Sequence, residues 1–287
     1  MHRPIITGPW HTIAPMPDLH RLNGSIPRKQ NVVDHGFIQD ASGQWQLWAC
    51  IRGTATGRLI FGWESDSLAT GPWRERGVML RADTACGERI HEGLEHIGAP
   101  FFLRKGQKWF CFYHSNGIRV LTSSNGRDYE RATDWGPSGN LTGIPGGRDV
   151  MIMHHHGLYY SYATITADDS PRSYVVAATS PDLHTWSVAG NVCEAAAADN
   201  GKVSAESPFV VFYEGWFYLW RASSHDFLTS IYRSRDPLDF GVGHYEKRID
   251  EIPLKAPEIL YSDGKWWITD LHDFQGLRIA EMTWQSV

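Results

Sequence analysis

Three acidic residues open three of five similar segments in this chain: Asp34 in "DHGFIQD", Asp149 in "DVMIMHH" and Glu206 in "ESPFVVF". The matching segments "APFFLRK" and "APEILYS" open instead on Ala99 and Ala256. Taken singly, such an acid would most simply cap a loop or pair with an arginine. Three carboxyl groups brought to one place behave differently. Like charges raise one another's pKa, so one group keeps its proton while another stays ionised. That division of roles is what general acid–base chemistry requires. Glu206 stands one residue earlier than the other two, measured from its own Pro208.

The elements that would position these acids form a repeat. Each copy is a short apolar strand, a Gly-containing turn and an aromatic-rich strand, as in "APFFLRKGQKWFCFYHSNG" and "ESPFVVFYEGWFYLWRASS". A second hairpin follows in each copy, such as "GIRVLTSSNGRDYE" and "SYVVAATSPDLHTW". The copies start near residues 34, 99, 149, 206 and 256, at intervals of 65, 50, 57 and 50 residues. Helix signals are scarce, and four short strands per unit of about 50 residues are the mark of a β-propeller. We therefore expect an all-β chain, residues 1–287 forming a single five-bladed β-propeller domain with four-stranded antiparallel blades. Residues 1–33 should supply a strand that pairs with the last blade and closes the ring. A β-sandwich is the alternative, but it leaves the fivefold double hairpin unexplained.

Propeller geometry then sorts the remaining candidates. The first strand of each blade lines the axis, and the antiparallel second strand returns to the mouth where the first began. Asp34, Asp149 and Glu206 are expected at that mouth. The ends of second strands should bring Arg52, His114, Arg221 and His272 to it. Loops before first strands add His96 and Arg148, and His35 directly follows Asp34. Arginine and histidine suit substrate binding because they hydrogen-bond hydroxyls and orient carboxylates.

Composition narrows the function classes. A net charge of -5 and the absence of a basic run argue against nucleic acid as a partner. No stretch of about 18 apolar residues offers a membrane span. The start, "MHRPIITGPWHTI", has no apolar leader core, so the expected location is the cytoplasm, or the periplasm or exterior if a leader has been removed. The four cysteines, Cys50, Cys86, Cys111 and Cys193, show no metal-ligand spacing, and a disulfide framework or structural zinc is not expected. Thirteen Trp, 11 Tyr and 12 Phe could fill β cores or stack on sugars, and composition does not separate the two.

The acid set resembles that of the five-bladed propeller glycoside hydrolases, families 43, 62, 32 and 68 and relatives such as family 117, with the site layout closest to family 43. The resemblance implies a hydrolase acting on an oligosaccharide or glycoside of the arabinofuranoside, xyloside, galactoside or fructoside kind. It implies Asp34 as general base, Asp149 as the residue that orients and tunes the acid, and Glu206, in a Glu-x-Pro motif, as general acid. Inversion of the anomeric centre is favoured over retention. "GGRDV" is also similar to the Arg-Asp-Pro motif of the invertase group, with Val150 in place of proline, and "VDHG" lacks the Asp-Pro usual in family 43. No cofactor is implied for the reaction, but the resemblance leaves room for an axial calcium or other ion near a fifth-blade histidine, here His272. Two rivals remain open. One is a carbohydrate-binding propeller without catalysis; the other is a sialidase-like hydrolase, for which Arg52, Arg148 and Arg221 would supply the three arginines.

Two eye-catching motifs are read as structural. "MHHHG", carrying His154, His155 and His156, occupies the hairpin turn at the far end of its strand from Asp149. "ATSPDLHTW" and "TSSNGRDYE" are similar to sialidase Asp-boxes but fall in second-hairpin turns, where Ser, Asp and Asn make side-chain-to-backbone bonds.

Overall fold

The computed structural model describes residues 2–19, 30–132, 135, 140–167, 172–196 and 201–286. Its strands form five antiparallel sheets arranged as five propeller blades. Blade 1 orders Asn31–Gln39, Trp45–Thr54, Gly57–Ser65 and Arg74–Leu80 from the axis outward. Blade 2 uses Gly98–Lys105, Lys108–His114, Ile118–Ser123 and Glu130–Arg131; blade 3 uses Arg148–His155, Leu158–Thr166, Ser173–Ser180 and Ser187–Glu194. Blade 4 runs Glu206–Tyr213, Trp216–Ala222, Thr229–Ser234 and Arg248–Ile252. Blade 5 runs Ile259–Ser262, Lys265–Asp270 and Gly276–Ser286, and His2–Ile6 and His11–Pro15 both pair with its third strand.

Aromatic residues fill the faces between blades. Trp48 of blade 1 meets Phe102 of blade 2 edge-on at 5.2 Å, and Trp48, Trp63 and Trp220 are fully buried. Tyr218, Trp220 and Trp284 form one cluster joining blades 4 and 5. Such rings bury large apolar areas and lock the sheets by edge-to-face contact. Near the axis space is short: a Cβ on Gly36 would stand 2.5 Å from the Pro100 carbonyl oxygen, so only glycine lets blades 1 and 2 approach there. All four cysteines are free, with Cys50 and Cys111 buried.

The inner strands share a feature that composition does not reveal. At the mouth, one residue of each holds a positive φ: Asp34 (25°), Ala99 (49°), Asp149 (52°), Ser207 (45°) and Ala256 (46°). In blades 1 to 4 the pairing with the second strand slips at this point. A bulge of this kind re-aims the side chain it carries. Alanine in the same conformation in two blades makes the strain a property of the fold rather than of the acids.

The two structural motifs behave as turns. Asp182 Oδ1 accepts from the backbone nitrogens of His184 (2.8 Å) and Thr185 (2.7 Å), and these bonds hold its carboxyl low, at about 2. Asn125 Oδ1 does the same for Arg127 and Asp128. His154 and His156 are exposed at the blade 3 turn, while His155 packs on Phe212 and Phe217.

Candidate active site

The bulged residues and those just before them form two stacked rings around the axis. The deeper ring is Asp34, Ala99, Asp149, Ser207 and Ala256; these line a small axial cavity of about 30 Å³. The outer ring is Val33, Gly98, Arg148, Glu206 and Lys255. Glu206 is therefore the counterpart of Arg148, and Ser207 is the counterpart of Asp34 and Asp149. The one-residue offset visible in the sequence is a change of ring.

Asp34, Asp149, Glu206, Arg52 and Arg148 nevertheless line one pocket of about 470 Å³ at the mouth. Ser207 stitches the acids together: its Oγ donates to Asp34 Oδ1 at 2.6 Å, and its backbone nitrogen donates to Asp149 Oδ2 at 3.4 Å. Arg148 Nη2 donates to Glu206 Oε1 at 2.6 Å and to Thr166 Oγ1 at 2.9 Å, while its Nε stands 3.8 Å from Asp149.

Burial, then the Asp149 charge, raises Glu206 to about 8, against the lowering effect of Arg148. The short Arg148 contact favours a carboxylate, whereas burial beside Asp149 favours the acid. Among the described residues, Arg148 is the only arginine within ion-pair distance of the three carboxyl groups, Arg52 and Arg58 acting on Asp34 from farther off, so burial keeps a proton in the cluster. Asp34 rises to about 7 through burial and Asp149, with Ser207, Arg58 and Arg52 pulling it back. Both groups therefore hold a proton more firmly than a free carboxyl, and the 2.6 Å Ser207 bond favours the ionised form of Asp34.

The other expected residues scatter. His96 and His114 line an adjoining recess that also contains Arg148. His114 Nδ1 is 3.8 Å from Asp149, and its pKa falls to about 4 through burial. His35 is not at the mouth: it lies on the axial cavity, 2% exposed, with Nε2 bonded to Thr269 Oγ1 at 2.8 Å, and burial lowers it to about 3. Arg221 opens into a different recess, beside Arg248 and Tyr245. Strand register explains this. Cys50 pairs with Val33 and Ala222 with Glu206, so Arg221 matches buried Ala49, whereas Arg52 matches Ser224. A shift of one residue reverses the face.

The three arginines of the sialidase-like alternative consequently do not converge. His272 sits on an exposed turn and is not among the residues lining the axial cavity, so it is not placed to hold an axial ion. Among the described residues, no three His, Cys, Asp or Glu side chains gather as a metal site.

Several residues at the mouth escaped the sequence reading. Arg58 and Lys255 line the main pocket, as do Phe227 and Phe274, whose rings meet edge-on at 5.6 Å. Arg58 is the second residue of a third strand, Gly57–Ser65, and third strands start at the same mouth where second strands end, so the same rule carried one turn further finds it. Glu258 reaches the axial cavity as a fourth acid, raised well above the usual range by burial and then by Asp34. Its counterparts two residues beyond the bulge, Phe101, Met151 and Phe209, are apolar, which was a readable signal.

The five-bladed propeller is also the fold of solved glycoside hydrolases. The chain superposes on a thermostable family-43 glycoside hydrolase with a TM-score of 0.63 at 16% identity, over 90% of this chain and 91% of that one. It matches a family-32 β-fructofuranosidase of Bombyx mori (0.62, 14%, 95% and 61%) and a family-117 glycoside hydrolase of Zobellia galactanivorans (0.65, 10%, 98% and 90%). No protein-family model and no curated protein sequence matches the chain.

Proposed function

We propose that this protein hydrolyses glycosidic bonds by inversion, with Glu206 as general acid and Asp34 as general base. The observation that carries the reading is the mouth itself, where Glu206 and Asp34 are both raised by burial beside Asp149, Arg148 holding Glu206 and the Ser207 hydroxyl holding Asp34. Glu206 gives its proton to the leaving oxygen as the bond to the anomeric carbon breaks. A water on the opposite face attacks that carbon and passes its proton to Asp34. Asp149 keeps Glu206 protonated, and Arg148 fixes its direction at 2.6 Å. Ser207, Arg52 and Arg58 hold Asp34 nearer the ionised form. Phe227 and Phe274 offer an aromatic wall on which a sugar ring can stack.

The solved glycoside hydrolases with this architecture support the reading. The test is a screen of aryl glycosides of arabinofuranose, xylose and galactose together with fructosyl substrates, followed by Glu206→Gln and Asp34→Asn. Each substitution should lower kcat about 10²–10⁴-fold, and NMR of the first-formed anomer reports inversion. If both variants keep full activity, the assignment is wrong.

A further inference from the structure

The first repeat interval is 65 residues where the others are 50 or 57, and the surplus has a visible product. After the fourth strand of blade 1, the chain forms an added hairpin, Arg89–His91 and Leu94–His96, whose second strand pairs with Gly57 at the mouth. Two carboxylates brace this insertion. Glu95 takes Arg81 (2.8 Å to Nε), and Glu88 takes Arg131 (2.8 Å) and the Tyr113 hydroxyl (2.5 Å). Glu88 and Glu95 are thus engaged, while Glu92 in the hairpin turn is solvent-exposed, 3.8 Å from His91.

The hairpin carries Arg89 and His96 to the edge of a recess of about 570 Å³, completed by Arg58, His114, Asn140 and Arg148. Arg58 and Arg148 also line the catalytic pocket, so the two spaces are continuous. Among the described residues, no Asp or Glu lines the recess. Arg148 is held by Glu206, but among the described residues no carboxylate lies within ion-pair distance of Arg58 or Arg89. His96 is pushed down by burial and then by these same two arginines, which keeps it neutral beside them. Neutral sugar hydroxyls need acceptors as well as donors. Asn140 and the two histidines offer acceptors as well as donors, but two guanidinium groups without a carboxylate partner set the charge of the recess and suit a planar or tetrahedral anion.

We propose that this recess receives a carboxylate or sulfate group on the sugar next to the cleaved bond, making the substrate an acidic glycan. The inference rests on the glycosidase reading and specifies its substrate class. It is tested by calorimetric titration of the Glu206→Gln protein with oligogalacturonate, glucuronoxylan fragments and sulfated galactan fragments, each beside its neutral counterpart. At 50 mM NaCl one acidic series should bind at least tenfold tighter than its neutral partner, and 300 mM NaCl should shrink the gap. Which series binds distinguishes carboxylate from sulfate. Arg58→Gln and the surface substitution Arg89→Gln, each added to Glu206→Gln, should weaken acidic binding about tenfold and in excess of any change for the neutral sugar. Neutral sugars binding as well as acidic ones, or equal losses for both, overturn the proposal. Glu206-dependent hydrolysis of a neutral glycoside in that case leaves the glycosidase reading standing, whereas neither binding nor hydrolysis of any sugar defeats both.

Discussion

Replacing Asp34 with asparagine removes one charge from the cluster while keeping an oxygen for the Ser207 hydroxyl, now 2.6 Å away. Asparagine also tolerates the φ of 25° held at this position. In the native protein, burial and the Asp149 charge lift Asp34 from 3.8 to about 7. A carboxyl raised in this way favours the folded state while protonated. Its contribution is intact below about pH 4 and is lost as pH climbs to about 7. At about 1.4 kcal/mol per pH unit the ceiling on that loss is about 4 kcal/mol. Solvent in the open pocket reduces it to about 1–3 kcal/mol. With ~1 kcal/mol moving Tm by about 2–4 °C in a chain near this size, Asp34→Asn should gain about 3–10 °C at pH 8 and almost nothing at pH 4. Scanning calorimetry of both proteins from pH 4 to 8.5 measures the gap. A gap that does not change with pH, or a variant that becomes the less stable one as pH rises, would show that Asp34 is ionised and stabilising, and would refute the reasoning.

Other expectations follow from the same geometry. The pH profile of kcat/KM should be bell-shaped, rising as Asp34 loses its proton near 7 and falling as Glu206 loses its own near 8. Ser207→Ala removes a hydrogen bond that favours ionised Asp34, so the acidic limb should move to higher pH in that variant. Arg148→Met removes the lowering influence on Glu206 and should move the alkaline limb up, with a fall in kcat from lost orientation. Arg221→Met should keep kcat/KM within about twofold, because Arg221 lies outside the catalytic pocket, and should cost about 1–2 kcal/mol of stability by removing the cation stacked 5.0 Å over Tyr232. Initial rates and urea unfolding check this.

Much of the candidate site was legible because propellers repeat. Aligning "DHGF", "APFF", "DVMI", "ESPF" and "APEI" places Asp34, Asp149 and Glu206 at one end of the axis without reference to distance. Arg52 and Arg148 follow from the same alternation, and both line the pocket. Arg221 did not follow, because an end-of-strand rule locates an end but not a face. His272 did not follow because the chain leaves its strand at Asp270 and turns outward. Arg58 and Glu258 were within reach of the alignment, had it been extended to third strands and to the second residue past each bulge.

The sequence by itself determined the architecture and the ring of acids, since period, turn residues and strand patterning are local and recur five times. The tertiary structure decided how the acids meet. A positive φ in each inner strand puts Ser207, not Glu206, level with Asp34 and Asp149, and lets the Ser207 hydroxyl tie blade 4 to blade 1. It also decided which arginines stay without a carboxylate at the mouth, because ion pairs such as Glu88 with Arg131 and Glu95 with Arg81 join residues that only folding brings together. Side-chain face depends on register, and register shifts at bulges whose strain leaves no mark on residue type.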